Sequence, residues 1–146
     1  VKFLADVNVI FPLLVSFHQH RDRALEWFDS TGTGEVVLNR LTRLGVLRLL
    51  CNSQIMGKYV LAPKSAVNAL EVLESDERAV LLHEPDGLDE VLKKFVSSCA
   101  TTPNLWTDAY LAAFAAVAGL KLVSFDHGFA KFSGLDFLLL ESGATQ

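Results

Sequence analysis

The chain has 146 residues, 51% of them apolar, with a mean hydropathy of +0.32 and a net charge of −4. That length suits one domain spanning residues 1–146. The negative balance argues against a protein that coats nucleic acid without specificity. The longest apolar run, Ala109 to Leu120, falls short of the ~20 residues that cross a bilayer, so the apolar surplus is assigned to a buried helix and a protein–protein interface rather than to a membrane.

Lys2 to Ala5 reads as a strand that stops at Asp6, with Asn8 two residues on. Val9 to Phe17 is apolar and predicts a helix with Pro12 in its first turn. His18-Gln19-His20 follows, then a helical stripe of Ala24, Trp27 and Phe28 within Arg21 to Ser30. Thr31-Gly32-Thr33-Gly34 breaks the pattern before a short β-branched strand at Glu35 to Leu38 and a helix from Asn39 to Asn52. Ser53 to Ala62 reads as a loop, and Pro63 opens a helix ending near Ser75. Ala79 to Leu82 is a third strand, and Gly87 to Cys99 an amphipathic helix. Thr101-Thr102-Pro103 predicts the start of a helix from Asn104 to Ala118 that is apolar on nearly every side and stops at Gly119. Leu122 to Phe125 and Phe137 to Leu140 complete five strands. Strands alternating with helices imply an α/β fold with a parallel sheet covered on both faces.

Charge and cysteine refine the picture. From Val36 to Leu70 there is no acidic residue, while Arg40, Arg43, Arg48, Lys58 and Lys64 make that segment +5. It reads either as a phosphate-contacting patch or as ordinary surface charge. Cys51 and Cys99 have no metal or disulfide spacing, and the opening residues lack the pattern of a secretory signal. The expectation is two reduced thiols in a cytoplasmic protein.

Three carboxylates stand out by position. Asp6 and Asp126 each follow an apolar strand, so in a parallel sheet both emerge on one edge, where open α/β folds hold their ligands. Asp108 lies on the apolar helix leading to the strand of Asp126, where an unpaired acid is costly to bury. The plainer reading of each is a helix or turn cap. Gathered together, they repel and call for a hard divalent cation, which takes oxygen ligands. Asn8 and Ser124 add neutral oxygens, and Thr107 is either a further one or an ordinary helix hydroxyl. Such a site suits phosphodiester hydrolysis by activated water.

Four ordered stretches then resemble a known family: Asp6-Val7-Asn8-Val9, Thr42 to Arg48, Trp106 to Ala112, and Leu122 to Phe129. Together they look like a PIN domain of the VapC-type toxin branch. The resemblance implies a three-layer α/β/α fold with central parallel sheet order 3-2-1-4-5. It also implies an Mg²⁺- or Mn²⁺-dependent endoribonuclease toxin acting on tRNA or other structured RNA, a homodimer, and a small VapB-type antitoxin. Asp6, Asp108 and Asp126 match the acidic metal ligands, and Ser124 matches the hydroxyl before the last of them. With Asn8 these are the candidate catalytic residues, and Arg40, Arg43 and Arg48 are candidates for RNA phosphate.

One position departs from the family. Where a glutamate is usual, this chain has Arg43, which is expected either to turn inward onto Asp6 or Asp126 or to join the basic patch. The departure keeps open a catalytically weakened RNA- or protein-binding module, and it leaves one-metal action open beside two-metal. His18 and His20 lack a third zinc ligand, and His127 is either a substrate contact or a loop residue. Trp27 and Trp106 read as core. A haloacid-dehalogenase phosphatase is excluded because Asn8 stands where that chemistry needs an acid. The antitoxin groove is expected along Val9 to Phe28 and Leu41 to Leu50.

Overall fold

A computed structural model describes residues 1–142. Five strands alternate with helices: β1 (Phe3–Ala5), α1 (Val7–Leu14), α2 (Arg21–Asp29), β2 (Val36–Leu38), α3 (Arg40–Leu50), α4 (Ser53–Met56), α5 (Pro63–Glu74), β3 (Ala79–Leu81), α6 (Leu88–Val96), α7 (Leu105–Ala118), β4 (Lys121–Ser124) and β5 (Phe137–Leu139). The strands form one parallel sheet in the order β3-β2-β1-β4-β5, as the resemblance implied.

Strand side chains alternate between faces, and the register makes this produce two cores. Leu4 lies level with Val37 and Leu122, and these three pack on the face covered by α6 and α7. Ala5, Val36, Leu38 and Val123 pack on the opposite face against α1, α2, α3 and α5. The result is three layers.

Several boundaries differ from those expected. Asp6 caps α1 by accepting the Val7 N–H, so the helix starts at Val7 and Pro12 lies in its interior. The disruption falls at the helix end, where Arg21 Nη1 donates to the Pro12 and Leu13 carbonyls at 3.3 and 2.8 Å and supplies partners that the last turn lacks. The segment read as a loop after Asn52 contains α4, capped by Asn52, and a 3₁₀ turn at Gly57–Tyr59. Pro103 belongs to a turn closed by Leu105 N–H to the Thr102 carbonyl at 3.1 Å, so the Thr-Thr-Pro signal marks a corner and α7 begins two residues later. Gly119, at φ +70°, ends α7, with Leu120 N–H reaching back to the Ala115 carbonyl at 2.8 Å.

At the sheet's other end, Arg78 just before β3 binds Asp76 Oδ2 at 2.9 Å and Asp29 Oδ1 at 3.3 Å. Its guanidinium lies 3.9 Å over the Phe28 ring, which ties the edge strand to the end of α2. Trp27 is core, as expected. Trp106 is not: it is 64% exposed in the first turn of α7, whereas Ala109 and Ala113, further along the same side, are fully buried. The residues expected to line an antitoxin groove are mostly internal. From Val9 to Phe28 and Leu41 to Leu50, only Phe17 and Leu44 are exposed large apolar side chains, and Ile55, Tyr59 and Val60 extend that surface outside the expected range.

Candidate active site

The carboxyl ends of β1 and β4 are neighbours in the sheet, and the first residues beyond them build the site. Asp6 must leave the strand to cap α1, and its Oδ1 takes the Val7 N–H at 2.7 Å. That leaves Oδ2 turned to β4, where the buried Ser124 hydroxyl donates to it at 2.8 Å. The same Ser124 oxygen accepts from Asn8 Nδ2 at 3.1 Å and from the Asp126 backbone N–H at 2.9 Å. Asn8 Oδ1 accepts the Phe125 N–H at 3.2 Å. Asp6, Asn8, Ser124 and Asp126 are thereby one hydrogen-bonded unit, built from the first turn of α1 and the end of β4.

Asp126 also caps, with Oδ1 accepting the Gly128 N–H at 2.8 Å in the 3₁₀ turn that follows. The capping roles and the gathered acids therefore coexist, since capping occupies one oxygen of each carboxylate. Asp108, in the first turn of α7, accepts no hydrogen bond from a described residue but repels Asp6. Asp6 is pushed up to about 6, chiefly by burial, against the Ser124 and Val7 hydrogen bonds, with Asp108 and Asp126 adding repulsion. Asp108 is also raised, first by burial and then by Asp126, while Lys131 opposes the shift. Lys131 had no signal in the sequence beyond its charge.

The donor set is oxygen only, and its acids repel one another, which fits a hard divalent cation. Among the described residues, no group of three His, Cys, Asp or Glu side chains is placed to hold an ion. The fit is therefore to a cation held by one or two carboxylates and completed by water and substrate, and not to a closed cage.

Arg43 takes neither expected course. It pairs through Nε and Nη2 with both oxygens of Glu74 at the end of α5, the Nη2 bond being 3.2 Å, and both side chains are mostly buried. It therefore does not neutralise Asp6 or Asp126, and it is not available to RNA phosphate in this arrangement. Nothing in the sequence flagged Glu74, which lies outside the acid-free segment. Arg40 and Arg48 are exposed on α3. Thr107 donates to the Asn104 carbonyl at 3.1 Å, the ordinary helix-start role. His18 Nδ1 accepts the His20 N–H at 2.9 Å, and His20 stacks on Phe125 at 4.3 Å, so this pair braces the loop beside the site.

Residues 3–135 match the PIN domain family. Ribonuclease VapC41 of Mycobacterium tuberculosis is 35% identical over 142 residues, which cover 94% of this chain and 97% of that protein. Ribonuclease VapC37 of the same organism is 25% identical, covering 90% of this chain and 92% of that one. Among solved structures, the Mycobacterium tuberculosis toxin VapC20 has a TM-score of 0.66 at 17% identity, covering 92% of this chain and 96% of its own. VapBC2 of Rickettsia felis has a TM-score of 0.66 at 12% identity, covering 97% and 100%. These likenesses support the fold. Matched along nearly all of its length by both sequence and architecture, the chain belongs to the PIN-domain family.

Proposed function

We propose that this chain, taken as a single PIN domain, is an endoribonuclease toxin that hydrolyses RNA phosphodiester bonds with Mg²⁺ or Mn²⁺. Its relatives carry the name ribonuclease, and the observation that carries the residue assignment is the Asp6–Ser124–Asn8–Asp126 unit at the carboxyl edge of β1 and β4. Asp6, Asp108 and Asp126 would hold the cation, one or two of them directly and the rest through bound water. When bound, such a cation offsets the charge that develops on the phosphoryl oxygens and acidifies water beside it. Ser124 fixes Oδ2 of Asp6 and Val7 N–H fixes Oδ1, so this carboxylate does not rotate when substrate arrives. Asn8 fixes Ser124 in turn and ties down the Phe125 amide, which holds the backbone that carries Asp126. Asp108 remains free of hydrogen bonds from described residues and is the acid best able to orient an attacking water.

Solved relatives include VapBC complexes of toxin with antitoxin, and a VapB-type antitoxin and a homodimer are part of this reading, as is a cytoplasmic location. Among the described residues no helix is long and apolar enough to cross a membrane. The exposed Phe17 and Tyr59, whose rings lie 4.9 Å apart, together with Ile55 and Val60, offer surface for such protein partners.

A second reading, a PIN module that binds RNA or protein but has lost hydrolysis, is favoured by one observation: Arg43 occupies the place of an acid and is locked to Glu74. Incubation of the wild type, Asp6→Asn and Asp126→Asn with RNA and Mn²⁺ separates the two. Cleavage by the wild type that is lost in both variants supports the enzyme. Cleavage absent in all three, or surviving both substitutions, rejects the assignment. Mapping fragment ends in cells expressing the protein then identifies the target RNA.

A further inference from the structure

His20 stands at the N-cap of α2, a position where a short polar side chain usually binds the helix's free N–H groups, yet its ring makes no capping bond. It lies instead nearly flat against Phe125, with 4.3 Å between ring centroids and 15° between their planes. Phe125 is the residue between Ser124 and Asp126, so this stack joins the start of α2 to the turn that carries an acid of the site. We infer that the His18-Gln19-His20 turn is a positioning device for Asp126, in which the His20 ring clamps Phe125 and thereby fixes the backbone on which the carboxylate is mounted. The inference deepens the ribonuclease reading and rests on it for what Asp126 does.

The clamp is anchored in the core. His18 Nδ1 accepts the His20 N–H at 2.9 Å. The His18 ring lies 5.5 Å from that of His20 and 5.5 Å, edge on, from the buried Phe11 of α1, so four rings run from the core to Phe125. The backbone beneath them is closed by His18 N–H to the Val15 carbonyl and by Arg21 N–H to the His18 carbonyl, each at 3.1 Å. Phe125 is thus held twice: its ring by His20, and its N–H by Asn8 Oδ1 at 3.2 Å. The next amide, that of Asp126, meets Ser124 Oγ at 2.9 Å and keeps that bond only while the backbone at Phe125 stays in place. Asp126 itself is exposed, so burial does not fix it, and its placement depends on the half-buried residue before it. A metal pair is not what the turn builds. Nδ1 of each ring is taken, in His18 by the His20 N–H and in His20 by the Ser142 hydroxyl, and among the described residues no group of three His, Cys, Asp or Glu side chains is placed to hold an ion.

The test uses the full chain and reads native-state hydrogen exchange by NMR at the Phe125 and Asp126 amides, with the Leu4 and Leu122 amides of the central strands as controls. His20→Ala is expected to speed exchange at Phe125 and Asp126 about tenfold and to leave the controls unchanged. With RNA and Mn²⁺ the same variant is expected to lose about tenfold in kcat while KM stays within about twofold. His20→Phe, which keeps a stacking ring, is expected to recover both readouts. His18→Leu, which offers the His20 N–H no acceptor, is expected to loosen the same two amides, whereas His18→Asn, whose side-chain oxygen reaches two residues on, keeps them protected. Faster exchange spread equally to Leu4 and Leu122 overturns the inference, since it marks a general loss of stability. So does a rise in KM at unchanged kcat, which makes His20 an RNA contact, and so does lost cleavage that His20→Phe fails to recover. If the wild type cleaves RNA while His20→Ala leaves both amides protected, only the positioning role fails. If the wild type cleaves no RNA, the ribonuclease reading fails, and the exchange measurement still decides whether the turn fixes Asp126.

Discussion

Ser124 has one proton and two lone pairs, and all three are committed: the proton to Asp6, the lone pairs to Asn8 and to the Asp126 amide. That arrangement holds the Asp6 carboxylate in place without neutralising it. Burial lifts Asp6 to about 6 from an ordinary 3.8, so the folded chain binds this proton more tightly than the unfolded one. The stability it contributes is complete below about pH 4 and is lost as pH rises through 6, a loss of about 3 kcal/mol at neutrality. In chelator, thermal denaturation of the wild type is therefore expected at lower temperature at pH 7 than at pH 5, and Asp6→Asn is expected to flatten that profile and to melt higher than the wild type at pH 7. An equally steep profile in Asp6→Asn would remove Asp6 as its source. Asp6, Asn8, Ser124 and Asp126 were legible because strand ends can be counted from sequence. The Arg43–Glu74 pair was not, because a contact between α3 and α5 leaves no local pattern. Arg43→Glu would set two glutamates against each other, so restoring the family's usual residue requires changing Glu74 as well.

Among the elements, α1 and α3 show how one small residue sets a distance. A Cβ built on Gly45 of α3 would lie 2.6 Å from Val7 Cγ2 in the first turn of α1. Val7 is the residue whose N–H Asp6 caps, so pushing α1 outward also displaces the carboxylate. Gly45→Ala is expected to cost about 2 kcal/mol through this overpacking and to reduce cleavage, and Val7→Ala in the same chain is expected to recover most of both. Urea denaturation of the single and double variants measures the coupling. Helix identities were readable from periodicity in α2, α3, α5 and α6, and the apolar character of α7 announced its burial. The exposure of Trp106 escaped notice because it lies in the first turn of a helix whose following residues are nearly all apolar and mostly buried, so hydropathy alone does not distinguish it. Pro103 misled for a related reason: proline suits both the first turn of a helix and the second position of a β-turn.

At the scale of the molecule, alternation of strand and helix implied a covered parallel sheet, but not which strands are neighbours. That order rested on likeness to a family, because short central strands carry no pairing information of their own. Only with β1 beside β4 do acids more than a hundred residues apart in sequence influence one another. Since no three of the candidate ligand side chains are placed to enclose an ion, Mn²⁺ is expected to bind the free protein weakly, raising its melting temperature only at millimolar concentration. The rise should be larger at pH 7.5 than at pH 5, where Asp6 holds a proton. Tight stoichiometric Mn²⁺ binding in calorimetry would contradict the open arrangement.

The Arg78 clamp answers to acid on a different schedule. Its hydrogen bonds hold Asp76 at about 2, so this carboxylate is among the last to accept a proton as a solution is acidified. The sheet is thus still riveted to α2 at its base in conditions that have already discharged Asp6 at the rim. Since that discharge strengthens the folded state while loss of the Asp76 charge weakens it, acid unfolding should set in only as pH falls toward about 2, and at the Phe28–Arg78 corner rather than at the Asp6 rim.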